Sequence, residues 1–136
     1  MIDLTDLLAA TAGQLIGSVR SAAFTSFCYD SRLAQPGQLF VAVRTERRDG
    51  HDFIGHALAA GAVGVLCQTP PADPAPDATC IVVPDTREAL QAWARYILRK
   101  QGLRIIGVTG SVGKTTTKEA IAAVLAAQFP VFKNRA

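Results

Sequence analysis

A glycine-rich segment late in the sequence has the residue types that bind phosphate. It reads Gly107-Val-Thr-Gly-Ser-Val-Gly-Lys-Thr-Thr-Thr117 and follows the apolar pair Ile105-Ile106. Glycines let successive backbone N–H groups point at phosphate oxygens, Lys114 adds a positive charge for the outer phosphates, and the Thr115 hydroxyl can bind Mg²⁺. We predict a nucleotide site made by Gly110, Ser111, Val112, Gly113, Lys114, Thr115 and Thr116, with Lys114 as the catalytic residue and Thr115 as the metal ligand.

The spacing departs at one place from the strict phosphate-loop pattern G-x-x-x-x-G-K-[ST]. The position five before Gly113 is Val108 rather than glycine. A glycine-rich turn between a buried strand and a helix therefore stays open as an alternative, although the preceding strand and the triple threonine favour a phosphate loop. Since few residues follow this loop, we expect the chain to be a fragment that contains only the start of a phosphate-loop domain.

Composition argues against several other classes of protein. The net charge of +3 comes from 14 Lys and Arg against 11 Asp and Glu. These basic residues form no dense run with aromatics between them, so nucleic-acid binding is not predicted. The longest apolar run, residues 57–67, is shorter than the roughly 20 residues that cross a bilayer, and acidic residues precede the first basic one. We expect a cytoplasmic, monomeric protein without membrane insertion.

Cysteine and histidine spacing predicts no metal centre. Cys28, Cys67 and Cys80 lie far apart without a C-x-x-C pair, so we expect buried thiols rather than disulfides or zinc ligands. His51 and His56 lack further ligands nearby and receive no metal role.

Apolar periodicity and turn residues predict alternating helices and strands. The predicted helices lie near residues 4–12, from a cap at Asp52 to Gly61, and from a cap at Asp85 to Gly102. The predicted strands are residues 24–29, 38–43, 62–67, 80–83 and 103–108, with another beginning at 130–132. Pro36-Gly37 predicts a type II turn, and Pro70, Pro71, Pro74 and Pro76 predict a stiff surface loop. We expect an α/β protein with one domain over residues 1–102 and a second starting at 103–136.

A second set of motifs precedes the phosphate loop. It comprises Tyr29-Asp-Ser-Arg32, Pro36-Gly-Gln-Leu-Phe-Val-Ala-Val43, Asp49-Gly-His-Asp-Phe-Ile54 and Ala60-Gly-Ala62. Together with the later Thr109-Gly-Ser-Val-Gly-Lys-Thr-Thr-Thr-Lys-Glu119, this order resembles the Mur ligases of peptidoglycan synthesis over nearly the whole chain. The resemblance implies an N-terminal domain that binds the UDP end of a nucleotide-sugar substrate, followed by a phosphate-loop domain that binds ATP and Mg²⁺.

The resemblance also implies roles for residues of the first domain. Tyr29 and Ser31 fall where family members contact uridine, and Glu46, Arg47 and Arg48 fall on a loop near the UDP-sugar. An arginine of this loop could pair with a diphosphate, and a serine hydroxyl could hydrogen-bond a uracil edge. Asp30 and Arg32 could instead form a local ion pair that only fixes the turn.

By resemblance, the reaction is an ADP-forming amide ligation. The γ-phosphoryl group of ATP passes to a peptide carboxylate, an amine attacks the acyl phosphate, and phosphate leaves. Lys118-Glu119 favours the activity that adds D-alanyl-D-alanine to UDP-N-acetylmuramoyl tripeptide over the addition of the third amino acid. Because the remaining family sites would lie beyond residue 136, we expect this chain alone to be inactive. A phosphate-loop enzyme with an unrelated leader domain and a non-catalytic UDP-sugar or nucleotide-binding module remain as alternatives.

Overall fold

The computed structural model describes residues 1–72 and 78–134. Contacts along the chain divide it into two compact units, Met1–Gly102 and Leu103–Ala136. Within the described ranges, no helix combines the length and the apolar character required to cross a bilayer.

The first unit is an α/β domain with a five-stranded sheet of order β2-β7-β6-β5-β4. Strands β4, β5, β6 and β7 are mutually parallel, and β2 runs antiparallel to β7 at one edge. A separate antiparallel pair joins β1 to β3. The strands are β1 Ile2–Asp3, β2 Gln14–Ile16, β3 Ala23–Phe24, β4 Phe27–Cys28, β5 Leu39–Val41, β6 Gly64–Cys67 and β7 Thr79–Val82.

Three α-helices cover this sheet: α1 Leu4–Thr11, α2 Ile54–Ala59 and α3 Thr86–Lys100. Aspartates cap two of them, because Asp3 accepts from the backbone N–H of Asp6 and Asp85 accepts from those of Arg87 and Glu88. Short 3₁₀ helices, Ser31–Leu33 and Gly50–Phe53, follow Asp30 and Asp49, whose side chains cap them in the same way.

The sheet has an apolar core on each face. Along β5, Leu39 and Val41 pack with residues of α1 and α3, whereas Phe40 packs with residues of α2 on the other face. This alternation follows from the two-residue period of a strand, and the continuous apolar sequence of β5 reflects burial on both sides. All three cysteines are free and buried, as predicted from their spacing.

Several predicted elements have different bounds in the structure. The strand predicted at 24–29 is two short strands, β3 and β4, which belong to different sheets. The helix expected to begin with a cap at Asp52 begins at Ile54, with Phe53 as its N-cap and no side-chain cap. Asp49 caps the 3₁₀ helix that precedes it. The type II turn at Pro36-Gly37 is supported by the Gly37 φ of +82° and by a bond from Gln38 N to Gln35 O of 3.2 Å. In the predicted proline loop, Pro74 and Pro76 lie outside the described residues.

The second unit contains one long helix, α4 Lys114–Ala126. The prediction of strands at 103–108 and 130–132 is wrong, since neither range forms a strand in this structure. An apolar segment becomes a strand only when a neighbour pairs with its backbone, and the described part of this unit supplies no such neighbour.

Candidate functional site

The candidate substrate-binding residues of the first unit follow the carboxyl ends of neighbouring parallel strands. Tyr29 and Ser31 come directly after β4, and the loop that bears Glu46, Arg47 and Arg48 comes after β5. β4 and β5 are paired in parallel, so both segments leave the sheet at the same edge. In open α/β sheets, this edge is where ligands bind.

Asp30 and Arg32 form the local ion pair that the sequence left as an alternative. The Arg32 guanidinium donates to both carboxylate oxygens of Asp30, at 2.9 and 2.6 Å, and the Arg32 backbone N–H donates at 3.1 Å. The contact with the Arg32 guanidinium lowers the pKa of Asp30 most, and the bond from the Arg32 backbone is the second cause. The positive charge of Arg48 acts in the same direction, and the pKa of Asp30 falls to about 2. Asp30 and Arg32 therefore fix the turn that carries Tyr29 and Ser31.

Tyr29 and Ser31 have opposite accessibilities. The Tyr29 side chain is exposed and can offer a flat ring to a ligand, whereas Ser31 is buried, with a relative exposure of 6%. The Ser31 hydroxyl lies 3.2 Å from Nδ1 of His56 on α2. No role was predicted for His56, because this contact joins distant positions in the chain and is created only by the packing of α2.

The loop between β5 and the second 3₁₀ helix is closed by its own hydrogen bonds. Arg44 and Asp49 form an antiparallel bridge, and Arg44 Nε donates to the Asp49 carboxylate at 2.7 Å. Near the tip, Thr45 N donates to Arg48 O at 2.8 Å, and Arg48 N donates to the Thr45 hydroxyl at 3.0 Å. These bonds leave the predicted ligand-binding residues Glu46, Arg47 and Arg48 exposed on the loop.

A shallow polar depression of about 560 Å³ lies beside this loop. Its lining includes Arg47 from the loop and Arg87 from the first turn of α3. Neither guanidinium forms an ion pair with another residue in the described ranges. Two positive charges at the carboxyl edge of a parallel sheet suit an anionic ligand. The sequence analysis did not predict a role for Arg87, and only its position after the fourth predicted strand, residues 80–83, could have indicated one.

Asp49 connects the loop to the segment that follows it. One carboxylate oxygen accepts from the His51 backbone N–H at 3.0 Å and lies 2.5 Å from His51 Nδ1. The bond from the His51 backbone lowers the pKa of Asp49 most, and the contact with the His51 ring follows. With a smaller contribution from Arg44, the pKa of Asp49 falls to about 2. The carboxylate form of Asp49 is therefore the form that this loop stabilises.

Acid is expected to remove this contribution to folding. The folded-state pKa of Asp49, about 2, lies below its ordinary value of 3.8, so the stabilisation is present above about pH 4 and is lost as the pH falls towards 2. Asp49→Asn should be less stable than wild type at pH 7 and should lose less stability between pH 5 and pH 2. Urea unfolding at each pH measures both differences.

Asp52→Asn provides the matched control, because Asp52 lies in the same 3₁₀ helix, is exposed, and makes no side-chain hydrogen bond to the residues described in the structure. This variant should retain the wild-type loss of stability over the same pH range. An Asp49→Asn protein with the full wild-type acid sensitivity would contradict the assignment.

In the second unit, the glycine-rich loop leads into the N-terminus of α4. Gly110 and Gly113 have φ values of +144° and +77°, which residues with a Cβ adopt rarely. Gly113 is the N-cap, and the first backbone bond of the helix runs from Thr117 N to Gly113 O, at 2.9 Å. The N–H groups of Lys114, Thr115 and Thr116 thus precede the intrahelical bonds and can donate to an anion.

Lys114 is the first residue of α4, and its ammonium group is close to this loop. Lys114 Nζ donates to Gly110 O at 2.5 Å. Gly110, Ser111, Val112, Gly113, Thr115 and Thr116 are all exposed. The residues that the sequence assigned to phosphate binding therefore form one continuous, accessible segment of loop and helix N-terminus.

Acidic and histidine side chains do not form a metal centre in the described ranges, where no cluster of three or more His, Cys, Asp or Glu could hold an ion. Mg²⁺ prefers oxygen ligands and often takes several of them from bound phosphates and water. The Thr115 hydroxyl beside the exposed helix N-terminus fits such a shared site.

Fold and candidate sites together define an α/β protein with a parallel sheet, an arginine-bearing edge and a separate glycine-rich loop at a helix N-terminus. The model of the Mur ligase family, catalytic domain, matches residues 24–98, which is more than half of the chain. The chain belongs to the Mur ligase family. This match includes the candidate residues of the first unit and ends before the glycine-rich loop.

Two curated relatives illustrate the similarity. The UDP-N-acetylmuramoyl-L-alanyl-D-glutamate–2,6-diaminopimelate ligase of Chlorobaculum tepidum is 44% identical over 125 residues, covering 90% of this chain and 25% of that protein. The UDP-N-acetylmuramoyl-tripeptide–D-alanyl-D-alanine ligase of Bacillus subtilis is 45% identical over 105 residues, covering 77% of this chain and 23% of that protein. The chain spans about a quarter of the length of these relatives.

Solved structures show the same similarity. The UDP-N-acetylmuramoylalanyl-D-glutamyl-2,6-diaminopimelate–D-alanyl-D-alanyl ligase of Acinetobacter baumannii has a TM-score of 0.85 and 31% identity, covering 95% of this chain and 29% of that one. The MurF ligase of Thermotoga maritima in complex with ADP has a TM-score of 0.70 and 35% identity, covering 81% of this chain and 25% of that one. The predicted family and the predicted α/β fold are confirmed, and the structure adds that four of the five strands of the main sheet are parallel.

Proposed function

We propose that this chain is the N-terminal part of an ADP-forming ligase that adds D-alanyl-D-alanine to UDP-N-acetylmuramoyl tripeptide in the cytoplasm. The observation that carries the proposal is the placement of Tyr29, Ser31 and residues 46–48 at one edge of a Mur ligase domain. The names of the Bacillus subtilis relative and of the Acinetobacter baumannii structure support this choice of substrates.

In this proposal, the first unit, residues 1–102, binds the UDP portion of the substrate. Tyr29 offers its exposed ring to the uracil, and Ser31 contacts the uridine from the turn held by Asp30 and Arg32. The loop at residues 46–48 lies against the diphosphate, where arginines neutralise its charge. The protein acts as a monomer.

The second unit, residues 103–136, begins the ATP-binding domain in the same proposal. Backbone N–H groups from Gly110 to Thr116 hold the phosphates of ATP, and Lys114 stabilises the negative charge that develops as the γ-phosphoryl group moves to the peptide carboxylate. Thr115 would hold Mg²⁺, which neutralises phosphate charge when bound. The ADP in the Thermotoga maritima structure supports a nucleotide role. Because the chain spans about a quarter of its relatives, we propose that these residues alone do not catalyse ligation.

Titration with two ligands tests both assignments in one sample. UDP-N-acetylmuramoyl tripeptide at millimolar concentration should shift the backbone amide signals of Tyr29, Ser31 and residues 46–48 in a ¹⁵N-labelled chain. ADP with Mg²⁺ should instead shift those of residues 110–116. Each ligand serves as the control for the other, because both contain a nucleoside diphosphate, while they differ in the base and only the UDP-substrate carries a muramoyl tripeptide. Unchanged Tyr29 and Ser31 signals at saturating UDP-substrate would contradict the uridine assignment.

Addition of diaminopimelate is the second candidate activity. It is favoured by the Chlorobaculum tepidum relative, whose alignment covers 90% of this chain. The two activities differ in both substrates. ADP release by a ligase that contains this chain should therefore be measured with UDP-muramoyl tripeptide plus D-alanyl-D-alanine, and with UDP-muramoyl dipeptide plus diaminopimelate. A non-catalytic UDP-sugar or nucleotide-binding module would bind its ligand and release no ADP with either pair.

A further inference from the structure

His51 makes hydrogen bonds through both ring nitrogens, and these define its protonation state. Nδ1 faces the Asp49 carboxylate at 2.5 Å, and Nε2 faces the backbone N–H groups of Gln68 and Thr69 at 2.9 and 3.3 Å. A carboxylate only accepts and a backbone N–H only donates, so Nδ1 carries the hydrogen and Nε2 is the acceptor. The geometry therefore requires one neutral tautomer of His51.

Through these bonds, His51 joins two loops at the carboxyl edge of the sheet. Asp49 ends the arginine-bearing loop that follows β5, whereas Gln68 and Thr69 follow β6, the neighbouring parallel strand. The His51 side chain is largely buried, with a relative exposure of 11%. The ring therefore acts as a rigid connection between the ends of two strands.

The other side-chain hydrogen bonds of residues 43–51 remain inside that segment. Arg44 bonds to Asp49, and Thr45 bonds to Arg48. In the described ranges, the bonds from Gln68 and Thr69 to His51 are the side-chain hydrogen bonds that tie this segment to the rest of the domain. Without them, the loop would keep its internal shape and would be held only at its base, where Gly50 N donates to Val43 O at 3.0 Å.

We propose that His51 is a positioning residue, which holds the loop bearing Arg47 and Arg48 in place for the diphosphate of a nucleotide-sugar ligand. The inference rests on the proposed function of the first unit. A loop that is already ordered loses less conformational entropy when its arginines bind a ligand, so the connection raises affinity without touching the ligand.

Two substitutions separate the two halves of the connection. His51→Asn keeps a donor near the position of Nδ1 and removes the acceptor for Gln68 and Thr69. His51→Gln places an amide oxygen near the position of Nε2 and can restore that acceptor. We expect His51→Asn to weaken UDP binding about tenfold, as expected when two long side chains must be ordered on binding. His51→Gln should stay within about threefold of wild type, since it keeps the loop tied to β6.

The matched control is Thr79→Val at the start of β7. The buried Thr79 hydroxyl also accepts from two backbone N–H groups, those of Arg20 and Ser21 at 2.9 and 2.8 Å. This variant removes a comparable acceptor at the amino ends of the parallel strands, whereas the arginine-bearing loop lies at their carboxyl ends. It should lower the melting temperature and leave UDP affinity within about twofold of wild type.

The experiment combines UDP titration with NMR of the complete chain, at a temperature where thermal melts show every variant to be folded. Long-range ¹⁵N–¹H spectra should show wild-type His51 as the neutral tautomer protonated at Nδ1. Amide relaxation should show residues 46–48 becoming mobile in His51→Asn and remaining ordered in His51→Gln. Wild-type UDP affinity and an ordered loop in His51→Asn would overturn the positioning role.

Failure of the proposed function would give a different result. If wild type bound no UDP while the loop became mobile only in His51→Asn, the nucleotide-sugar assignment would be overturned and His51 would be shown to hold the loop for another purpose. A protonated Nε2 in wild type would overturn the inference directly, whatever the ligand.

Discussion

Lys114→Ala is expected to lower the rate of ligation by about 10³-fold or more in a ligase of which these residues form the N-terminal part. Catalysis of phosphoryl transfer depends mainly on alignment and on the neutralisation of developing charge. Lys114 is the first residue of α4, and its Nζ lies 2.5 Å from Gly110 O in the glycine-rich loop, so its charge is held where phosphates would bind. Binding of the UDP-substrate should stay nearly unchanged, because that site is assigned to the first unit.

ADP release with UDP-muramoyl tripeptide and D-alanyl-D-alanine measures this effect. Lys118→Ala is the matched control, since Lys118 lies one turn further along α4 and donates to Asn134 O at 2.7 Å. It removes the same charge outside the loop and should retain most of the activity. Thr115→Ala should raise the Mg²⁺ concentration needed for activity. Near-normal turnover in Lys114→Ala would show that the loop is a structural turn, in line with Val108 at the departure from the strict pattern.

The sequence predicted most of the elements that position these sites. Continuous apolar segments gave β5 and β6 because both strands are buried on two faces, and Asp85 indicated the start of α3 because a cap is a local interaction. Strands β1 and β2 were missed. Each has two or three residues, and all residues of β2 are exposed, so no apolar period indicates it. Their existence depends on partners distant in the sequence.

The candidate site likewise combines local contacts, which the sequence can indicate, with contacts between distant residues, which it cannot. The pair Asp30–Arg32 spans two positions and could be inferred from the sequence. The contact of Ser31 with His56, the approach of Arg87 to the loop and the bonds between His51 and the segment after β6 all join separate elements. The family resemblance, together with the chemistry of arginine, suggested that this loop would meet a diphosphate. Only the folded chain shows which groups hold them in place.

The second large effect is expected from removing both loop arginines. The double substitution Arg47→Ala, Arg48→Ala should weaken binding of the UDP-substrate between about tenfold and a hundredfold, because each exposed charge-assisted contact to phosphate contributes on the order of 1 kcal/mol. Binding of ADP should not change. Isothermal titration at two salt concentrations measures the loss, and the salt dependence of the remaining affinity should be weaker than in wild type.

Arg95→Ala, Arg99→Ala is the control with an equal change in net charge. These arginines lie on the C-terminal half of α3 and line a separate depression beside α1, formed also by Ala9 and Ala10. If charge acted only through the long-range field of the domain, both double variants would lose affinity to a similar degree. If the loop contacts the diphosphate directly, only the Arg47, Arg48 variant loses it. Equal losses would therefore contradict the placement of the diphosphate at the end of β5, even though the UDP-substrate still bound.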